Sequence, residues 1–589
     1  MPPISPTPAT TGRYDYRPWL MAALALLLTV PFAAEEQIRD SLFWARIVEE
    51  GTNWYAILNP HHLIYLPIDR LIYALLHPFC PECDGITVGK LHSLIAVSAA
   101  AAGFHMLVFR LTSERWLAIL ASLLLLLSEV VWVCASQVEP YAPLIACLVL
   151  LVYVLAGQHA FSRRGLLVAA FWFALAVLYH QAMVALALPL LFYALAARGQ
   201  RGMVDMAFLL GVAGALVLAC YLAAYGYLYG DLSPRGFLVY CLRYASIPDP
   251  TYATFANYTW QGFTLILLRH FQGFLFLPWG LHKAAPLFYL AALLALAAWT
   301  LRQIARRAPR MAIRVFCLAW VVLFIALYLW GNPDDKESVL LYIVPFLLLL
   351  SLGVADLLAA MRGGRVARSI LFAVLIGIVL VVGARNFTEV VLPMSRDKGR
   401  AYARAAQING AIPAECQIIH QEQPVLEHLY YYFHRPGADL WDILTFFMYG
   451  QNRAMPFTWR NFDFSSKPCY GIPVSAILPD ANVRDHSGYG LPREWLGFMA
   501  WLFDLRIQDG RLLTARPYRI AVDAGGRAYF ILSAKPETSG LGLDAWFAEI
   551  DHRLAQAQGK PHDRYSRWYR AMPRDLEPRC GALCPKATP

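Results

Sequence analysis

Residues 35–67 read EEQIRDSLFWARIVEEGTNWYAILNPHHLIYLP and separate two long apolar runs. The stretch is dense in groups that do chemistry. Asp40 follows Arg39, a His61-His62 pair follows Asn59-Pro60, and Trp44, Trp54, Tyr55 and Tyr65 are spread between them. Ile38, Leu42, Ala45 and Glu49 fall on one side of a helix over 38–50, and Gly51 marks its end. A second helix is expected to start at Pro67 and run to Leu76. Two amphipathic helices lying on a membrane surface, with Trp44 and Arg46 at headgroup depth, would flank the Asn-Pro-His-His turn. The expectation is a loop that forms the floor of a site while the rest of the chain holds it there.

The surrounding composition places that loop at a bilayer. The 589 residues are 58% hydrophobic and 15% charged, with mean hydropathy +0.46. A soluble domain carries roughly 25% charged residues. Since about 20 apolar residues cross the hydrocarbon core as a helix, eleven spans are expected at 18–34, 88–109, 116–133, 140–157, 166–179, 182–197, 206–228, 284–301, 312–330, 338–360 and 367–384. The fifth and sixth read either as a hairpin with His180-Gln181 at its tip or as one long broken helix. Residues 230–283 form a long aromatic connection, with an interfacial or re-entrant piece over 263–281. Residues 1–17 read as a short disordered cytoplasmic lead. From residue 386 onward the composition is that of a soluble α/β or α+β domain, with strands expected at 417–420 and 474–478, a hairpin at 518–522 and 528–532, and helices at 424–433 and 541–557.

The net charge of +10 is a topology signal here, not a sign of nucleic-acid binding. Arg110 and Arg115, Arg163 and Arg164, Arg198 and Arg201, Arg302 to Arg314, and Arg362 to Arg368 lie in loops that fall on one side if the fifth and sixth spans form a hairpin. Positive loops stay inside. The loop with Asp40, the loop 230–283, the loop around Asp334–Glu337 and the C-terminal domain then lie outside the cytoplasm. In an oxidising compartment Cys80 with Cys83, Cys416 with Cys469, and Cys580 with Cys584 are candidate disulfides. For the CPEC motif at 80–83 the alternative is a metal or redox site, without a second CxxC or His-x-His nearby.

Five polar sets from distant parts of the sequence fall on that outer face: Asp40, His61-His62, Glu139-Pro140-Tyr141, His180-Gln181, and the run Asp334, Asp335, Lys336 and Glu337. Ionisable groups at membrane depth are expensive and usually have a task. Asp40 suits a general base. Arg39, His61, His62, His180, Lys336 and Arg269 are candidates to hold a phosphate. Glu139, Tyr141, Gln181, Glu337, Trp44 and Tyr65 are candidate substrate contacts. Each has a plainer reading: an Arg39–Asp40 ion pair, a turn residue at His61, a helix cap at Glu139, a satisfied turn at His180, a solvated helix start at 334–337.

On these motifs the chain resembles the GT-C superfamily of polytopic glycosyltransferases, above all bacterial members related to protein O-mannosyltransferases and aminoarabinose transferases. The resemblance runs through most of 18–385. It consists of Asp40 just after the first span, NPHHLIYLP at 59–67, VEPYAPL at 138–144, LYHQAMVALALP at 178–189 and NPDDKESVLLYIVPFLLLL at 332–350. It implies a multi-pass protein of the inner (plasma) membrane that takes a sugar from a polyprenyl-phosphate donor on the extracytoplasmic side, with Asp40 as base. The acceptor class, whether glycan, lipid or protein, stays open. The outer domain in such enzymes often helps bind the acceptor. Relatives often carry an Asp-Glu pair in this loop, whereas Ser41 follows Asp40 here, so a divalent metal stays open as well. The alternatives are a flippase or transporter for a lipid-linked glycan, which would show two related halves, and a non-catalytic sensor. No internal repeat is visible. The tripeptides Asn257-Tyr258-Thr259 and Asn386-Phe387-Thr388 match the N-glycosylation pattern.

Overall fold

The structure, a computed structural model, describes residues 16–230, 233–242, 259–275, 285–308, 310–330, 336–361, 364–435, 437–440, 467–477, 502–503, 505–508, 511–539, 541–559 and 561–563. Asp334, Asp335, Cys580, Cys584 and all but the end of the N-terminal lead lie outside these residues, as does the side chain of Arg39. Two compact units divide the chain, at Asp397 and Lys398.

The first unit is helical. α1 (Arg17–Thr29) leads into a loop that carries α2 (Arg39–Glu50), α3 (Trp54–Ile57) and α4 (Tyr65–Leu76). There follow α5 (Gly85–Thr112), α6 (Arg115–Leu127), α7 (Glu129–Ser136), α8 (Tyr141–Leu155), α9 (Arg163–Tyr179), α10 (Ala187–Arg198) and α11 (Gln200–Tyr229). The last six are α12 (Pro234–Cys241), α13 (Trp260–Phe274), α14 (Ala285–Ala305), α15 (Met311–Trp330), α16 (Ile343–Ala360) and α17 (Arg365–Asn386).

Every apolar run expected to span coincides with a helix. Among the described residues six helical stretches are long and apolar enough to cross a bilayer, and α6 with α7, bent by 63°, would make a seventh. Shorter apolar helices run over Arg17–Phe32, Tyr141–Leu155 and Tyr289–Ala305. α9 and α10 are separate: the helix stops at His180, whose backbone is extended, and resumes through a 3-10 turn, Gln181–Leu186. The hydrophobic pattern was legible because a helix in lipid must satisfy its backbone internally and be apolar along its length.

The break between α6 and α7 would leave a carbonyl orphaned in an apolar setting. Asn386, fully buried, donates from Nδ2 to Leu127 O and to Phe274 O, both at 2.8 Å, and so ties α17 to the ends of α6 and α13. One expected loop residue is placed differently. Arg314 is not part of a solvated cytoplasmic loop. It sits in the first turn of α15 at 1% exposure and meets both carboxylate oxygens of Asp356 on α16 at 2.8 Å. Its charge was read as a topology marker, whereas the structure uses it inside the bundle as half of an ion pair.

The loop helices follow the sequence closely. α2 ends at Gly51, whose φ of 63° is left-handed. A Cβ there would also lie 2.4 Å from the Arg70 guanidinium, which folds over the turn to donate to Val48 O. Cys80 and Cys83 are bonded just beyond α4.

In the second unit a mixed five-stranded sheet has the order β2-β1-β3-β7-β6, from β1 (Gln417–His420), β2 (Gly437–Asp439), β3 (Cys469–Pro473), β6 (Tyr518–Val522) and β7 (Ala528–Ser533). β4 (Arg506–Gln508), β5 (Arg511–Ala515) and β8 (Glu537–Thr538) make a smaller antiparallel sheet. The helices Gln423–Phe433 and Leu543–Gln558 and the β6–β7 hairpin lie where expected. The strand expected at 474–478 does not form over its described residues, 474–477. Pairing with β7 falls on 469–473, and Val474–Ile477 is a helical turn. Pro473 lacks an N–H and ends the ladder, and a short apolar string reads equally as strand or helix. Cys416 and Cys469 are bonded across this core.

His420, fully buried at the end of β1, gives a pH prediction. Burial, helped by the Arg404 charge, pushes its pKa down to about 4, and its Nδ1 accepts from the Glu422 N–H at 3.0 Å. The unfolded chain takes up a proton near pH 6.5, the folded one not until about 4. Stability is therefore full above 6.5 and falls by roughly 1.4 kcal/mol per unit between 6.5 and 4. Hydrogen exchange of β1 amides in the full chain should quicken over that window. His420→Gln should flatten the response.

Candidate active site

Two 3-10 turns, held by backbone and side-chain bonds, carry the histidines. In the first, Pro60–His62, the Asn59 side chain accepts from the His61 N–H at 2.9 Å. Tyrosine hydroxyls fix its backbone from the far side: Tyr221 of α11 bonds Pro60 O, and Tyr240 of α12 bonds Leu58 O at 2.7 Å. In the second, the Gln181 amide donates to Cys241 O at 2.6 Å, so Gln181 clamps the turn to the end of α12. The turns meet where the Ile64 N–H reaches Leu178 O.

This backbone brings three imidazoles together. Ring centroids lie 4.5 Å apart for His61 and His62, 4.4 Å for His61 and His180, and 5.1 Å for His62 and His180. Tyr141 packs at 5.3 Å from His180, and Trp44 edges His62 at 5.7 Å and Tyr65 at 5.5 Å. Burial drives His61 down to about 4 and His62, which also feels His61, to about 3. Near neutral pH both rings are uncharged. Each ring then carries one N–H and one lone pair; His62 donates its Nδ1–H to the Tyr179 carbonyl and has none left for a phosphate, and neither ring brings cationic charge to one.

Beneath lies a layer that sequence reading missed. Asp69 of α4, 1% exposed, bonds His92 of α5 at 2.6 Å. His92 Nε2 faces the Tyr179 hydroxyl at 3.4 Å, and the Tyr65 ring stacks on His92. Tyr179 O in turn bonds His62 Nδ1 at 2.8 Å. The Tyr179 backbone carbonyl thus orients His62, while the Asp69–His92 pair reaches the hydroxyl of the same tyrosine. Burial raises the Asp69 pKa, and the His92 bond opposes it. Charged residues inside two otherwise apolar helices were the available signal.

Asp40 stands in the first turn of α2, exposed, where an acid also suits the helix dipole. Next to it, the Ser41 hydroxyl donates to Val138 O at 3.1 Å. That bond ties the start of α2 to the segment bearing Glu139 and Tyr141. Trp44, one turn on, reaches the histidines. Beside this lies a pocket lined by Val130, Gln137, Glu139, Tyr141, Lys336 and Glu337. Lys336 pairs with Glu129 at 2.5 Å, a buried acid that the sequence reading did not single out. Arg269, on α13, donates to Gln272 at 2.9 Å, and its helix packs on α7 and on the 3-10 turn Glu337–Leu341. Among the residues singled out beforehand, His61, His62, His180, Tyr141, Trp44 and Tyr65 thus form one cluster. Glu139, Tyr141, Lys336 and Glu337 line a second space, and Tyr141 belongs to both.

With this geometry in view, comparison with known proteins is informative. The family described as "Dolichyl-phosphate-mannose-protein mannosyltransferase" matches residues 83–224, about a quarter of the chain, which includes His92, Glu129, Glu139 and His180 but not Asp40. No curated protein matches the chain by sequence. In fold, the chain is similar to ArnT from Cupriavidus metallidurans bound to undecaprenyl phosphate, at 12% identity and TM-score 0.52, covering 89% of this chain and 99% of that one. The apo state of the same protein aligns with TM-score 0.50 at 12% identity over 88% of this chain and 97% of that one. The chain thus shares the fold of the Cupriavidus ArnT structures, and its residues 83–224 are similar to the dolichyl-phosphate-mannose-protein mannosyltransferase family.

Proposed function

We propose that this protein moves a sugar from a polyprenyl-phosphate carrier to an acceptor hydroxyl on the extracytoplasmic side of the inner membrane, with Asp40 as general base. The acceptor oxygen attacks the anomeric carbon and its proton passes to Asp40. The bond from that carbon to the phosphate oxygen breaks, and polyprenyl phosphate leaves with the electron pair. A single displacement of this kind inverts the anomeric centre. Lys336 and Arg269 offer positive charge to the departing phosphate, and Arg39 stands next to the base in sequence. Glu139 and Glu337 offer hydroxyl-binding carboxylates beside the aromatic surface of Tyr141 and Trp44.

The observation that carries this reading is the join between α2 and the 138–141 segment, which puts the base-bearing turn beside both the pocket and the imidazole cluster. The undecaprenyl phosphate named for the Cupriavidus relative supports the carrier class. Disulfides both in the first loop and in the C-terminal unit support an oxidising, extracytoplasmic location for each, since reducing cytosol disfavours them.

The test is reconstitution of the full chain in proteoliposomes with lipid-phosphate sugars of several sugar types. Transfer should release free polyprenyl phosphate in step with product. A chain that bound such donors but released none would overturn the reading. The side is checked in cells with a membrane-impermeant maleimide. Cys416 and Cys469 should label from outside only after reduction, and labelling confined to lysed cells would place the domain in the cytosol.

A further inference from the structure

We propose that His61, His62 and His180 hold one divalent transition-metal ion of the zinc class, leaving at least one coordination position for a ligand from outside the chain. One ligand-capable atom from each of these three residues lies within 4.8 Å of the other two. In a tetrahedral zinc site with Zn–N near 2.0–2.1 Å, two nitrogens sit about 3.4 Å apart. Each donor therefore has to move by about an ångström or less. Imidazole is the ligand such ions prefer among the groups present.

Three further observations favour an ion over plain edge-to-face packing. The rings come from two separate turns, and each turn is fixed by bonds from a third element: Tyr221 and Tyr240 on one, Gln181 on the other. Next, His62 Nδ1 is committed to Tyr179 O, which sets the tautomer and leaves Nε2 with its lone pair. Metal-binding histidines are commonly oriented by such a bond to a carbonyl. Finally, among the described residues no carboxylate or thiol completes the group, which is the three-ligand pattern of sites that keep a position open. One contact opposes it. The Ala182 N–H donates to His180 Nδ1 at 3.3 Å, a long bond that must be given up for His180 to ligate.

This inference does not rest on the transfer reaction, since binding is measured without donor or acceptor. The full chain in detergent is stripped with chelator and titrated with Co²⁺, then with Zn²⁺. The expected result is one ion per chain, with the visible absorption of a low-coordinate Co²⁺ site that Zn²⁺ abolishes. His61→Ala, His62→Ala and His180→Ala should each weaken binding by at least ~100-fold, whereas His77→Ala should leave it unchanged. His62→Cys guards against loss of fold: its thiolate should keep the ion and add a near-ultraviolet sulfur-to-cobalt band. Equal Co²⁺ binding by wild type and the triple alanine variant, or a His62→Cys chain without that band, overturns the site. Loss of transfer in the alanine variants with Co²⁺ binding intact would also overturn it, yet leave the transferase reading standing.

Discussion

Asp40→Asn is expected to lower sugar transfer by at least ~10²-fold while the chain stays folded. The substitution keeps the shape of the side chain and removes only its capacity to take a proton. Asp40 is exposed at the start of α2, so no packing is lost. Its favourable placement near the helix N-terminus contributes roughly 0.3–1 kcal/mol, too little to unfold the loop. The fall should appear in kcat, with KM for the lipid donor little changed, because the base acts on the acceptor. The measurement is initial rate in proteoliposomes against a melting curve of the same preparation. A rate within about threefold of wild type removes Asp40 as base and leaves the enzyme in need of another base.

The largest structural effect is expected at Asp356. Its carboxylate binds Arg314 through both oxygens and takes a hydrogen bond from Trp299 Nε1 at 3.2 Å, so that one group joins α14, α15 and α16. Arg314 is 1% exposed. Asp356→Ala leaves its guanidinium buried without a counter-charge, which costs about 3–5 kcal/mol. Fluorescence-detected melting in detergent should show a clear drop in midpoint. The double change Arg314→Met with Asp356→Leu should recover most of it, since removing both charges also removes their desolvation cost. If the single and double variants melt alike, the loss comes from packing and the ion pair is not what joins these helices.

Much of this architecture could be read from residue order alone, and the reason differs by element. The spans were legible because lipid enforces a length and an apolar surface on every helix. α2 was legible from its periodicity and from Gly51, where only a left-handed residue without a Cβ fits under Arg70. The meeting of His61, His62 and His180 followed from placing their turns on one face. What stayed hidden depends on pairings between helices. Asp69 and His92 lie on α4 and α5, and nothing in either helix announces the partner. Glu129 needed Lys336, and Arg314 needed Asp356, each from a distant segment. The strand misplaced at 474–478 failed for a local reason, because the ladder closes at Pro473, just before that apolar string begins.

The side chain that seals the broken end of α6 bears on how the protein can be produced. Asn386 begins one of the two tripeptides that a eukaryotic secretory host would recognise for attaching N-linked glycans. That attachment needs the amide nitrogen exposed and unengaged. Here the nitrogen already serves two carbonyls, and the residue is shut away from solvent. Once folded, the chain made in yeast or insect cells offers no acceptor at this position, so a mass increment found there would report molecules modified before α17 docked.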